Sequence, residues 1–209
     1  MRIAFGLKAH SGWAALVAVG YERKVLRVVD RRRIELISER DPDWPGQPYH
    51  AAEGKPFAQA RRIVECGIAD ARVCAQAQLR AALARATEHE IAACAVLTPT
   101  PLPDWTLEQI LAVHLRMHQA EGTLYPDALL RAAQKCGLHA VAVARKSLRQ
   151  LVQSALRVSF ETALDRVAAL GKGVGAPWGA DQKQAALAAM IALREFDSKQ
   201  PAAATAYSA

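Results

Sequence analysis

Between Ile3 and Gly20 the chain runs IAFGLKAHSGWAALVAVG, and no other stretch restricts its fold as much. Ile3, Phe5 and Leu7 alternate with Ala4, Gly6 and Lys8, the period-two pattern of a strand. Trp13–Val19 is a near-continuous apolar run, which suits a strand covered on both faces. Ser11-Gly12 between them is a turn signal, because glycine tolerates the backbone angles that a tight turn needs. The turn sets Lys8, His10 and Ser11 at the end of a buried strand, where polar groups are well placed for a ligand. The competing reading is a solvated hairpin tip.

The pattern continues over Val25–Ser38. Val25, Leu26, Val28 and Val29 cluster, and Ile34 and Leu36 alternate with Arg33 and Glu35. The first forty residues therefore read as three antiparallel strands. Arg31-Arg32-Arg33 is the densest basic run; it suits a nucleic-acid backbone, or a solvated strand edge whose charge blocks further pairing. Glu39–Pro56, with its prolines and glycines, is expected to be a loop without regular structure. Within it, Trp44 and Tyr49 either stack on a ring of a ligand or plug the loop onto the core, the second being favoured. His10, His50 and Glu53 together have the chemistry of a metal-ligand set.

Helices are predicted over Phe57–Ala86, with a kink at Gly67, and over Thr106–Glu121, broken at Glu121-Gly122 and resumed over Tyr125–Cys136. In the second of these, the apolar stripe of Leu107, Ile110 and Leu111 continues through His114, His118 and Glu121. Ionisable groups in line on an inward stripe are able to bind a metal or move protons, since unpaired buried charge is expensive. Ile91–Leu97 and Leu138–Ala144 read as strands. Leu148–Leu170 reads as a helix with Ser159 inward, followed by a glycine-rich loop, GKGVG, that lacks phosphate-loop spacing. Asp181–Phe196 reads as the last helix, its Asp181 and Gln184 resembling a capping box.

Over 209 residues this describes one domain, 1–197, and a frayed tail, 198–209. The net charge of +7 permits acidic partners such as phosphates. Four cysteines without a CxxC pair read as reduced core thiols. No signal peptide is evident at the start, and no apolar run approaches the roughly 20 residues of a membrane span. A soluble cytoplasmic protein is expected, with no membrane partner and its oligomeric state open.

The order of elements is three antiparallel strands, then strands alternating with helices. It resembles the ribonuclease H-like α/β fold of ribonuclease H, the bacterial Holliday-junction resolvases and the actin and sugar-kinase ATPases. The closing segment, a strand ending in Ala144-Arg145-Lys146, a helix, GKGVG and an Ala-rich helix opening on Asp-Gln-Lys, resembles the resolvase branch. The chain is also similar to an uncharacterised bacterial family with KAHSGWA near its start and a helical H-x-x-E-G, here Lys8–Ala14 and His118–Gly122.

The resemblance implies a site of carboxylates, the first on the opening strand, holding divalent metals that activate water. Here that position falls at about Lys8, a cation where the family has Asp. Glu121 and Asp181 are the remaining acidic candidates, as ligands of one Mg or Mn ion or as acid and base. His10 and His118 are candidates to move a proton, and Lys8, Ser11 and Lys183 to hold a phosphate. The leading expectation is action on nucleic acid or a nucleotide phosphate, by metal-assisted phosphodiester hydrolysis. The alternatives are a binding module on a lapsed nuclease fold, and a metal-dependent hydrolase of small molecules.

Overall fold

The computed structural model describes residues 1–38 and 46–199. Five strands, β1 (Arg2–His10), β2 (Trp13–Glu22), β3 (Val25–Glu35), β4 (Glu90–Thr98) and β5 (Ala140–Ala144), form one sheet in the order β3-β2-β1-β4-β5. β1, β2 and β3 pair antiparallel, whereas β4 joins β1 and β5 joins β4 in parallel. Parallel neighbours need a crossover, and helices supply it. α1 (Pro48–Ala51) and α2 (Phe57–Arg85) lie between β3 and β4, and α3 (Leu107–Leu111) and α4 (His114–Lys135) between β4 and β5. α5 (Leu148–Leu156), α6 (Phe160–Val174) and α7 (Ala180–Lys199) follow β5.

The pleat sorts the side chains into two cores. Ile3, Phe5 and Leu7 of β1 pack with Leu16, Val96 and the apolar stripes of α2 and α4. Ala4 faces the other way, with Val17, Ala95, Leu97 and the helices α5 to α7. The molecule is thus helix, sheet, helix in three layers, and the alternation read in Ile3–Lys8 is what assigns each side chain to its layer. At the middle of β1, α7 comes so close that a Cβ on Gly6 would stand 1.8 Å from the Ala185 carbonyl oxygen. Ala185, Ala186, Ala188, Ala189 and Ala192 are all fully buried, and small side chains are what permit that approach.

Several boundaries differ from expectation. Pro48 opens a short helix, α1, inside the expected loop, since proline is tolerated in a first helical turn. Trp44 lies outside the described residues; Tyr49 packs against the core, as favoured. α2 is helical through Gly67, which is buried. The expected Thr106–Glu121 helix is instead two: Thr106 caps the start of α3 in a capping box, and the backbone turns extended at Val113, φ −138° and ψ 115°, before α4 begins at His114. α4 then continues through Gly122 and Pro126 to Lys135, its buried stripe of Met117, Ala120, Leu124, Ala128 and Leu129 outweighing the missing N–H.

Arg157, at φ 54°, ends α5, and Ser159 is not inward but caps α6 by accepting from the Thr162 N–H. α6 runs to Val174, so most of GKGVG is helical. Asp181 lies inside α7 rather than capping it; Gln182 instead accepts from the Gly179 N–H. Helix α7 reaches Lys199, so the first residues of the expected tail are helical and 200–209 lie outside the described residues. Of the cysteines, Cys94 is buried, Cys74 and Cys136 are half-buried, Cys66 is exposed, and all are unbridged. Among the described residues no helix is long and apolar enough to cross a membrane.

Candidate functional site

The β1–β2 turn forms as the sequence predicts. Gly12 sits at φ 80°, in the left-handed region that favours glycine, and its carbonyl accepts from the Leu36 N–H at 2.7 Å. Because Lys8 and His10 are even-numbered residues of β1, they lie on the α7 side of the sheet. There Lys8 Nζ is 2.7 Å from Asp181 Oδ1, and His10 Nε2 is 3.1 Å from Asp181 Oδ2. The Lys8 side chain is only 12% exposed. Burial pushes the Asp181 carboxyl up, but hydrogen bonding and charge from Lys8 and His10 outweigh it and hold the group below its ordinary value. The helix N-terminus favours the same anion.

Beside this pair, planar groups stack. The His10 ring lies on Trp13 with centroids 4.4 Å apart, and the Arg33 guanidinium lies over Trp13 at 4.1 Å. Arg33 also pairs with Glu35, and Arg31 donates to the Gly175 carbonyl at 2.9 Å. Ser11 is exposed in the turn, and Lys183 lies in the first turn of α7, its N–H on the Gly179 carbonyl.

A second polar cluster occupies the α2/α4 side. Glu121, 6% exposed, accepts at Oε1 from the Tyr49 N–H at 2.7 Å and the His50 N–H at 3.3 Å. His50 Nδ1 stands 3.5 Å from the same oxygen. Burial raises the Glu121 carboxyl to about 7 against the pull of those two N–H donors. Nearby, Tyr125 donates its hydroxyl to the Gly46 carbonyl at 2.8 Å, tying α4 to the segment before α1. His114 and His118, one turn apart on α4, bring their Nε2 atoms to 3.0 Å. The His50 ring approaches both, with centroids 4.4 Å from His118 and 5.4 Å from His114. One ring nitrogen of each of these three histidines lies within 4.8 Å of the others. His114 Nδ1 stands 3.3 Å from Glu53 Oε1. Burial, then the charges of His118 and His114, lower the His50 pKa and favour its neutral form.

The structure thus brings together Lys8, His10 and Asp181, with Ser11 and Lys183 on the same end of the sheet. It does not bring Glu121 to Asp181: the sheet separates them, and each has other partners. His118 joins His50 and His114 rather than His10, and the expected set of His10, His50 and Glu53 divides between the two faces. The described residues at the end of β1 do not fit a Mg or Mn centre of the ribonuclease H type. Such hard ions need several oxygen ligands, and among the described residues the carboxylate beside Lys8 and His10, Asp181, is already held by both. The sequence reading missed the convergence of His50 with His114. The i, i+4 spacing of His114 and His118 was visible, but nothing in the sequence sets the distance from α1 to α4.

No protein-family model matches the chain, and no curated protein matches it. Solved structures do. Thermus thermophilus RuvC is similar at a TM-score of 0.50 and 15% identity, over 94% of this chain and 96% of that one. T. thermophilus RuvC in complex with Holliday junction substrate gives 0.49 and 14%, over 95% and 97%. The yeast mitochondrial Holliday junction resolvase Ydc2 gives 0.43 and 13%, over 93% and 80%. The likeness to the first, with the strand order above, establishes the ribonuclease H-like fold expected from the sequence.

Proposed function

We propose that this ribonuclease H-like protein binds nucleic acid through the α7 side of its sheet end and does not cut it by a two-metal route. The Lys8–Asp181 pair at 2.7 Å carries the reading. It puts a cation on the first strand where a nuclease of this fold needs a carboxylate, and it consumes the acidic group that α7 offers. What remains beside it is a binding surface rather than a catalytic one. The half-exposed Trp13 forms with His10 and Arg33 a stack of planar groups at the surface, which a base can extend or enter. Lys183 and the exposed Ser11 hydroxyl are suited to phosphate oxygens. Lys8 itself acts within the fold, neutralising Asp181.

Anisotropy titrations of labelled single-stranded, duplex and four-way-junction DNA at low salt test this. Trp13→Ala and Arg33→Ala are each expected to weaken binding by roughly 5- to 100-fold, the worth of one stacked contact. No strand scission is expected with Mg or Mn. Scission that Asp181→Asn abolishes would restore the metal-nuclease reading, and absence of binding to every probe would end the nucleic-acid reading altogether.

A further inference from the structure

We propose that His50, His114 and His118 hold one zinc-class divalent ion, on the face of the sheet opposite the Lys8–Asp181 pair. This site is independent of the nucleic-acid reading and stands or falls without it.

Four observations converge. The first is distance. Two nitrogens bound to one tetrahedral zinc at about 2.0–2.1 Å are separated by roughly 3.3 Å, and His114 Nε2 and His118 Nε2 already lie 3.0 Å apart. A hydrogen bond between the two imidazoles would explain that distance alone. It would not explain the third ring, whose nitrogen completes a group within 4.8 Å. The second observation is the carboxylates behind the rings. His114 Nδ1 faces Glu53 at 3.3 Å, and His50 Nδ1 lies 3.5 Å from Glu121. A metal-bound histidine characteristically turns its other ring N–H to a carboxylate, which fixes the tautomer and aims the remaining nitrogen at the ion. Here that leaves Nε2 of His50 and Nε2 of His114 for the metal.

The third observation is unmet hydrogen bonding. Nε2 of His50, and Oε2 of the nearly buried Glu121, have no hydrogen-bond partner among the described residues. Polar atoms removed from water are normally satisfied, and a bound ion would satisfy the nitrogen aimed at it. The fourth is the donor set. Imidazole nitrogens suit zinc, cobalt, nickel and copper, whereas Mg prefers oxygen. Three protein nitrogens, with His114 and His118 exposed, leave a fourth position for solvent, the arrangement of an open zinc site. Once filled, the ion would link the short α1 to the first turns of α4.

The test is metal binding by the chelator-stripped full chain. Zn(II) and Co(II) are titrated in competition with a chromophoric chelator, and Co(II) is also followed by its visible absorption. One equivalent of each is expected, with the intense visible band of tetrahedral cobalt and no competition by Mg(II). His114→Ala and His118→Ala should each weaken binding by about tenfold or more, and Glu53→Gln by less. His114 and His118 are exposed, so both variants should melt like wild type in chelator. Cys66→Ser, which removes the exposed thiol, should bind like wild type. Unchanged affinity in the histidine variants, loss of binding in Cys66→Ser, or no binding of Zn(II) or Co(II) by the folded wild type would each overturn the site.

Discussion

Glu121 is held by what it accepts rather than by an opposite charge. Its Oε1 takes the Tyr49 and His50 N–H groups that open α1, and its burial lifts the carboxyl to about 7. The part of the side chain that matters to the fold is therefore one acceptor oxygen. Glu121→Gln keeps that oxygen and is expected to melt within a degree or two of wild type. Glu121→Ala strands two backbone donors and should cost about 1–3 kcal/mol, read by urea unfolding of the two variants in chelator. An equal loss in both would show that the charge, not the acceptor, is what α1 depends on. The inward position of Glu121 was legible in the sequence, because it continues the apolar stripe of its helix. Its partners were not, because they are main-chain groups of a short helix inside a stretch whose path no periodicity describes. The same gap explains why His50 was grouped with His10. Each residue has the chemistry of a ligand, but the pleat that puts His10 on one side of the sheet has no counterpart for His50 in the four-residue α1.

Among the elements, the strands were the most legible. Alternation over Ile3–Lys8 gave both the strand and the faces its side chains take. Helix ends were less so: an extended Val113 and the cap at Ser159 divided helices that hydropathy alone joins, and packing carried α4 across Gly122 and Pro126. The Lys8–Asp181 contact joins β1 to α7, and it makes that joint sensitive to acid. Asp181 has its carboxyl lowered in the folded chain, so the contribution is complete above the unfolded carboxylate value of about 4 and is lost as pH falls through the lower folded value. Lys8→Met should reduce stability by about 1–2 kcal/mol near pH 6, since Asp181 is only partly screened by water. The gap in Tm between the two proteins should close below about pH 4. A gap of the same size at pH 6 and pH 3 would mean that the lysine contributes packing and not charge.

At the scale of the whole molecule, a net charge of +7 is spread over a three-layer fold. Binding to a polyanion by such a surface is driven largely by counterion release, so its salt dependence counts phosphates. With about 3–5 phosphates engaged, affinity should fall at least tenfold between roughly 50 and 200 mM salt. A flat dependence would point to recognition of something other than a nucleic-acid backbone. Fold class was readable from the order of elements alone, whereas chemistry depended on which side of the sheet each polar group came to occupy.

The contact of α7 with β1 has a bearing on how this chain can diverge. Where Gly6 meets the Ala185 carbonyl and the Ala189 methyl, neither partner has space to grow while the other stands still. Sequence drift there is confined to coordinated exchanges, and an added methyl on the strand must await a retreat of the helix. Exposed side chains at the sheet's end, such as Ser11, are under no such tie. Descendants of this chain are free to change those side chains long before they can change the axis on which they are built.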